Sequence, residues 1–170
     1  MTKMKAAPQE LTSEMDRRAQ EYFDNVSQAV VFVFKSLLNI EAEQKKKYSR
    51  RLSSLPNDII ITLDFKADMK GFFAFFLSLK TALEICARLS PELGRQYFEK
   101  EHLDVIGEIG NLISGNAIGR LKSVNSYVNL STPHLSGFHE ILTSEKSHWI
   151  YSCNYNIEVG QMGILMAVAK

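Results

Sequence analysis

Between residues 104 and 117 the chain reads Asp104-Val-Ile-Gly107-Glu108-Ile-Gly110-Asn111-Leu-Ile-Ser-Gly115-Asn116-Ala117. Asp104, Glu108, Asn111 and Gly115 stand four, three and four residues apart, so a helix places them in one stripe. Val105, Ile106, Ile109, Leu112, Ile113 and Leu121 form a separate apolar stripe on the same helix. A carboxylate beside a carboxamide offers a charge and a neutral donor–acceptor to a reacting group or a partner surface. The same composition also suits a solvated helix face, and Glu-x-x-Asn spacing alone does not separate the two. Gly107, Gly110, Gly115 and Gly119 sharpen the question, because each costs about 1 kcal/mol against alanine inside a helix. Such a concentration requires close approach, either by a strand packed beneath or by a partner docking from outside.

Other chemistries find little support. His102, His134, His139 and His148 are scattered without an i, i+4 pair, so no metal site is expected. There is no Gly-x-Ser-x-Gly elbow and no phosphate loop ending in Gly-Lys-Ser/Thr. Ser114 is a conceivable nucleophile, yet no His or Lys stands nearby in sequence to activate it. Cys86 and Cys153 are too few for a disulfide scaffold and read as small buried hydrophobes. With 20 Lys+Arg against 19 Asp+Glu the formal charge is +1, which gives no basic field for nucleic acid. The apolar run Gly71 to Leu79 is far short of the ~20 residues of a membrane helix. No leader-like apolar segment opens the chain, so a cytoplasmic protein without membrane or nucleic-acid partners is expected.

The positioning elements follow from periodicity. At 170 residues and 45% hydrophobic, one domain with one core is expected. Residues 1–12 read as a flexible tail and 13–170 as the domain. Ser13-x-x-Asp16 resembles a capping box, and Met15, Ala19, Phe23, Val26, Val30, Val33 and Leu37 predict a helix over 13–38. Residues 41–52, with Lys45-Lys46-Lys47 and Arg50-Arg51, read as a solvated hairpin or charge-guarded edge strand rather than an acidic-partner patch. Ile59–Phe65 and Gly71–Leu77 predict two strands joined by Ala67–Lys70. The second strand carries Phe73, Phe75 and Leu77 on one face and Phe72, Ala74 and Phe76 on the other, so it belongs in the middle of a sheet. Ser78 caps a helix over 80–89, which Ser90-Pro91 stops. A second long helix is expected over 100–122, then a strand over 127–130, a loop through Gly137 and Ser144–Lys146, and closing strands over 147–156 and 160–169. The order is α+β, with two halves that each run from a long helix into antiparallel strands.

The string from 104 to 117 resembles the signature of the CheC/CheX family of bacterial chemotaxis phosphatases, Asp/Ser-x-x-x-Glu-x-x-Asn followed by Gly-Asn-Ala. Asp104, Glu108 and Asn111 match the patterned positions, and Gly115-Asn116-Ala117 matches the tail. The element order over roughly 20–170 is similar too. The resemblance implies a layered α+β domain with an antiparallel sheet, two long helices and pseudo-symmetric halves. The first helix offers only Glu21-x-x-Asp24 without the tail, so the chain resembles the single-motif CheX type.

The resemblance further implies a substrate and roles. The substrate is a phosphorylated CheY-like response regulator, whose aspartyl phosphate is hydrolysed. The receiver brings its own Mg2+ and lysine, so no cofactor is expected on this chain. Asn111 is implied to orient the attacking water and Glu108 to pair with the receiver's lysine, both as catalytic residues. Asp104, Gly107 and Gly115 are implied to meet the partner. CheX-type relatives imply a homodimer, and the apolar final strand Met162–Val168 would leave a hydrophobic edge if unpaired. The other reading is a non-catalytic module that docks on a receiver or a flagellar-switch partner.

Overall fold

The computed structural model describes residues 8–45, 56, 58–120, 129–144 and 147–170. The first helix, α1, spans Pro8–Val33 and continues into a π-helical turn over Phe34–Leu38. It begins five residues before the expected start, so residues 8–12 are helical rather than tail, and Ser13 and Asp16 lie inside the helix instead of capping it. Asn39 ends the segment with φ 51°, a left-handed conformation that asparagine tolerates better than most residues.

Three strands and a helix complete the first half. They are β1 (Ala42–Gln44), β2 (Ile59–Lys66), β3 (Lys70–Leu77) and α2 (Leu79–Leu89). The expected edge strand in 41–52 is β1, while the basic run from Lys46 and the turn at 53–55 and Asn57 lie outside the described residues. Ser78 caps α2, its Oγ accepting from the Thr81 N–H at 3.1 Å.

The second half holds α3 (Lys100–Gly119), β4 (Asn129–Leu130), β5 (His134–Leu135), α4 (Phe138–Ser144), β6 (His148–Ile157) and β7 (Gly160–Ala169). Tyr127, Val128, Glu145 and Lys146 lie outside the described residues. The helix α4 falls where a loop was expected. Its seven residues are too short to show a helical period, but Phe138 and Ile141 at i, i+3 pack together on the sheet.

All described strand pairs are antiparallel, in the order β1-β6-β7-β3-β2-β4, with β5 also pairing β2. The order is its own mirror about the β7–β3 pair. The hairpins β2–β3 and β6–β7 abut there, and each half's first short strand, β1 or β4, adds to the other half's hairpin. This is the pseudo-symmetry that the parallel order of elements suggested. The apolar β7 lies between β6 and β3, so the edge that argued for pairing with a second copy is already filled within the chain.

The strand β3 is central, as its two apolar faces required. Phe73, Phe75 and Leu77 join the main core with α1 and α3, while Phe72, Ala74 and Phe76 meet Ile141 and Phe138 of α4 on the other face. Phe23 of α1 packs against Tyr151 of β6 with ring centroids 5.9 Å apart. The Tyr155 hydroxyl donates to the Ser27 carbonyl at 3.3 Å, tying the same two elements.

Cys86 and Cys153 are both buried and free. Burial raises both thiols, Cys86 to about 11, because the low-dielectric surroundings penalise the thiolate. At pH 8 the folded protein therefore holds little thiolate. Neither cysteine should react with a soluble disulfide reagent within minutes in buffer, and both should react in concentrated urea. Titration of free thiols under the two conditions checks this, and rapid labelling of the native state would contradict it.

Candidate functional site

The site is built on α3, and its rotation is set by what lies beneath. An alanine Cβ at Gly110 would sit 3.1 Å from both Leu63 Cδ1 and Phe75 Cε2, so this backbone rests almost directly on the sheet. Ile106, Ile109, Ile113 and Ala117 are buried around it. At about 100° per residue, Asp104, Glu108, Asn111 and Gly115 then fall within a band of about 60° on the side away from the core. Asp104, Glu108 and Gly115 are exposed and Asn111 is half-buried. No side chain of Asp104, Glu108 or Asn111 makes a hydrogen bond or ion pair with another described residue.

The four glycines divide by cause. Gly110 is explained by the sheet, and Gly107 by Pro133, whose Cβ would lie 2.9 Å from a Cβ at 107. Gly107, implied to meet the partner, is therefore buried on the flank of α3, outside the stripe of Asp104, Glu108, Asn111 and Gly115, where it meets the chain's own Pro133. No described residue lies within 4 Å of a Cβ built at Gly115 or Gly119. Gly119 ends the helix, where a glycine costs little. Gly115 is interior and exposed, so no contact among the described residues accounts for it.

The start of α3 depends on a residue whose place was not legible in the sequence. His102 is 1% exposed. Its Nδ1 accepts from the Glu99 N–H at 3.2 Å, and its Nε2 faces the Gly94 carbonyl at 3.3 Å. With Nδ1 accepting, the proton lies on Nε2, which then donates to Gly94. The ring thus fixes the first turn to the preceding loop. The only sign was its position three residues after Glu99, where a side chain can reach back to the helix start.

The remaining candidates are structural in character. Ser114 is fully buried, away from the exposed row. Asn116 donates to the Leu112 carbonyl of its own helix at 2.9 Å. On α1, Glu21 is exposed and Asp24 half-buried, and Asn25 turns back to the Glu21 carbonyl at 2.8 Å. Among the described residues no group of three or more His, Cys, Asp and Glu could hold a metal ion. No described helix is long and apolar enough to cross a membrane.

The family described as chemotaxis phosphatase CheX matches residues 59–151, from β2 into β6 and including all of α3. The chain belongs to the CheX family. The CheY-P phosphatase CheX of Thermotoga maritima is 20% identical over 105 residues, covering 62% of this chain and 68% of that one. The chain in a CheX–CheY–BeF3–Mg2+ complex from Borrelia burgdorferi superposes with a TM-score of 0.71 at 17% identity, covering 88% of this chain and 98% of that one. The chemotaxis protein CheX of Desulfovibrio desulfuricans gives a TM-score of 0.69 at 12% identity, over 87% and 99%. The expected layered α+β architecture is the one shared with these structures.

If Gly115 is kept for something outside the chain, replacing it should help the fold. Gly115→Ala should stabilise the protein by about 1 kcal/mol, since it gains helix propensity in open space. Gly107→Ala should destabilise, because the proline ring opposite is rigid and the overpacking cost of about 1–3 kcal/mol exceeds the propensity gain. Urea denaturation of the two variants reads the difference, and a destabilising Gly115→Ala would return that glycine to a structural role.

Proposed function

We propose that this CheX-family protein hydrolyses the aspartyl phosphate of a phosphorylated CheY-type response regulator. The observation that carries the reading is the pair Glu108 and Asn111, presented on one helix face with no partner among the described residues. Buried or paired side chains could not serve a phosphoryl group held on another protein. This face can.

An acyl phosphate is already activated, so the main task is to place water in line with the bond that breaks. The water oxygen forms the new bond to phosphorus as the bond to the aspartyl oxygen breaks, releasing carboxylate and inorganic phosphate. A neutral carboxamide suits the water, because it accepts and donates without bringing a negative charge beside the phosphoryl group. Asn111 takes that role. Glu108, three residues earlier, pairs with the receiver's lysine through a charge-assisted hydrogen bond and so seats the helix. Asp104 lies one turn further toward the start of α3, and Gly115 keeps the face low where the receiver comes closest. The divalent ion belongs to the receiver, and this chain needs no cofactor of its own. The reaction then takes place in the cytoplasm, where response regulators act.

The two residues separate in experiment. Asn111→Ala should keep binding close to wild type and lower turnover at least ~100-fold, the cost of a reacting group misplaced by about 1 Å. Glu108→Ala should weaken binding first, by about 2–5 kcal/mol, because it leaves the receiver's lysine unpaired. Gly115→Leu should reduce both, with the fold retained, since the position is open. Decay of the phosphorylated receiver at several protein concentrations, paired with titration against a receiver carrying a stable phosphate mimic, measures both quantities. Wild-type turnover by Asn111→Ala would exclude water positioning by this helix. Binding without acceleration by the wild type would favour a non-catalytic docking module. Sedimentation at micromolar concentration checks whether a homodimer forms.

A further inference from the structure

The segment running from Ser131 to Ser136 beside α3 is short of regular structure yet firmly held. The Ser131 N–H donates to the Asp64 carbonyl at 2.9 Å, and the Asp64 N–H donates to Ser131 Oγ at 2.8 Å. At the other end the Ser136 N–H donates to the Ile60 carbonyl at 2.9 Å. Between them Thr62 Oγ1 lies 2.8 Å from His134 Nε2 and 2.6 Å from Ser136 Oγ. Six residues are thus pinned to β2 at both ends and in the middle.

This ledge presents a leucine to solvent. Leu135 is 51% exposed. It is in register with Ile61, a member of the core beneath the long helices, so both point to the face of the sheet that carries α3. Pro133, two residues back, shares that face and abuts Gly107. Gly107 adjoins Glu108 and is about 6 Å along the axis from Asn111, and Leu135 is about 7 Å from Pro133 along the extended chain. A standard interface buries about 800 Å² on each partner, a patch of about 16 Å radius. A body centred on Glu108 and Asn111 therefore reaches the ledge.

We propose that the ledge Thr132–Leu135 is a second contact for the docked receiver domain, with Leu135 as its apolar anchor. The inference rests on the proposed action on a phosphorylated receiver. Gly107 gains a purpose in this arrangement: it lets the pinned segment close against the flank of α3, making helix and ledge one continuous surface. A surface held rigid before binding loses little entropy on docking, so a single buried leucine counts for more than it would on a mobile loop. The ledge governs affinity and orientation. The water-placing step stays with Asn111.

The test uses the full chain and the phosphorylated receiver that the wild type acts on. Leu135→Asp should raise the half-saturating receiver concentration at least ~10-fold, with turnover at saturation within about twofold. Leu135→Met should restore wild-type behaviour. Leu142→Asp, at a 40% exposed position on α4 that this proposal does not use, should change neither quantity. Thermal unfolding confirms that the half-exposed substitution leaves the fold intact. Unchanged half-saturation in Leu135→Asp overturns the proposal, as does a fall in turnover alone. So does a result in which Phe32→Asp, at a 49% exposed site on α1, produces the shift and Leu135→Asp does not, because the receiver then leans over α1. A loss that sedimentation traces to dissociation of a dimer assigns the ledge to a second copy and also overturns it. If the wild type neither accelerates decay nor binds any receiver, the phosphatase reading itself fails, which is a different result from every variant outcome.

Discussion

Everything at the candidate site depends on how closely α3 sits on β2 and β3. The contact is made at Gly110, where Leu63 and Phe75 leave no comfortable space for a side chain. Because backbone rather than side chain rests there, the rotation of the helix is tightly fixed. Ile106, Ile109 and Ile113 are then committed to the core, and Glu108 and Asn111 are committed to the opposite face. A larger residue at 110 would lift or roll the helix, and a roll of only a few tens of degrees would turn Asn111 from the surface toward its neighbours. One close contact therefore sets both the packing and the direction in which the polar pair points.

The sheet beneath is rigid for a related reason. The two hairpins meet at β3 and β7, and each is closed by a short strand from the other half. Neither half can complete its own sheet, so the halves fold as one body. The central strands carry apolar residues on both faces, with the long helices on one side and α4 on the other. A platform buried on both faces resists bending, which a helix that must hold its rotation requires.

The long elements were legible because their periods are long. The apolar stripe of α1, the two-faced strand β3 and the closing pair β6 and β7 each repeat often enough to exclude other readings. The stripe of Asp104, Glu108, Asn111 and Gly115 was legible for the same reason. What was hidden depends on contacts distant in sequence. The contact that explains Gly107 was hidden because Pro133 lies 26 residues away and comes beside it only when β2, β4 and β5 assemble. His102 looked like one scattered histidine because its bonds to Glu99 and Gly94 depend on the path of a loop. The helix α4 is held by burial of Phe138 and Ile141 on a sheet face that the local sequence does not describe.

The glycines show how a fold and a function can be separated on one helix. All four looked alike as costs to helix propensity, yet they answer to different neighbours: the sheet at 110, a proline at 107, the helix end at 119, and no described residue at 115. The open position at 115 is the informative case. A protein whose reacting groups face its own pocket has no reason to keep the surrounding surface low, because the substrate comes to the pocket. A protein that acts on a group held in another protein's cleft must bring its own backbone there, and any side chain ahead of the reacting residues holds it off. On the proposed reading, Gly115 stands one turn beyond Asn111, where a projecting side chain would keep the carboxamide from a receiver by the length of that side chain. Under that proposal, leaving the position bare would sacrifice helix stability and gain depth of approach, the exchange expected of a helix that works by insertion.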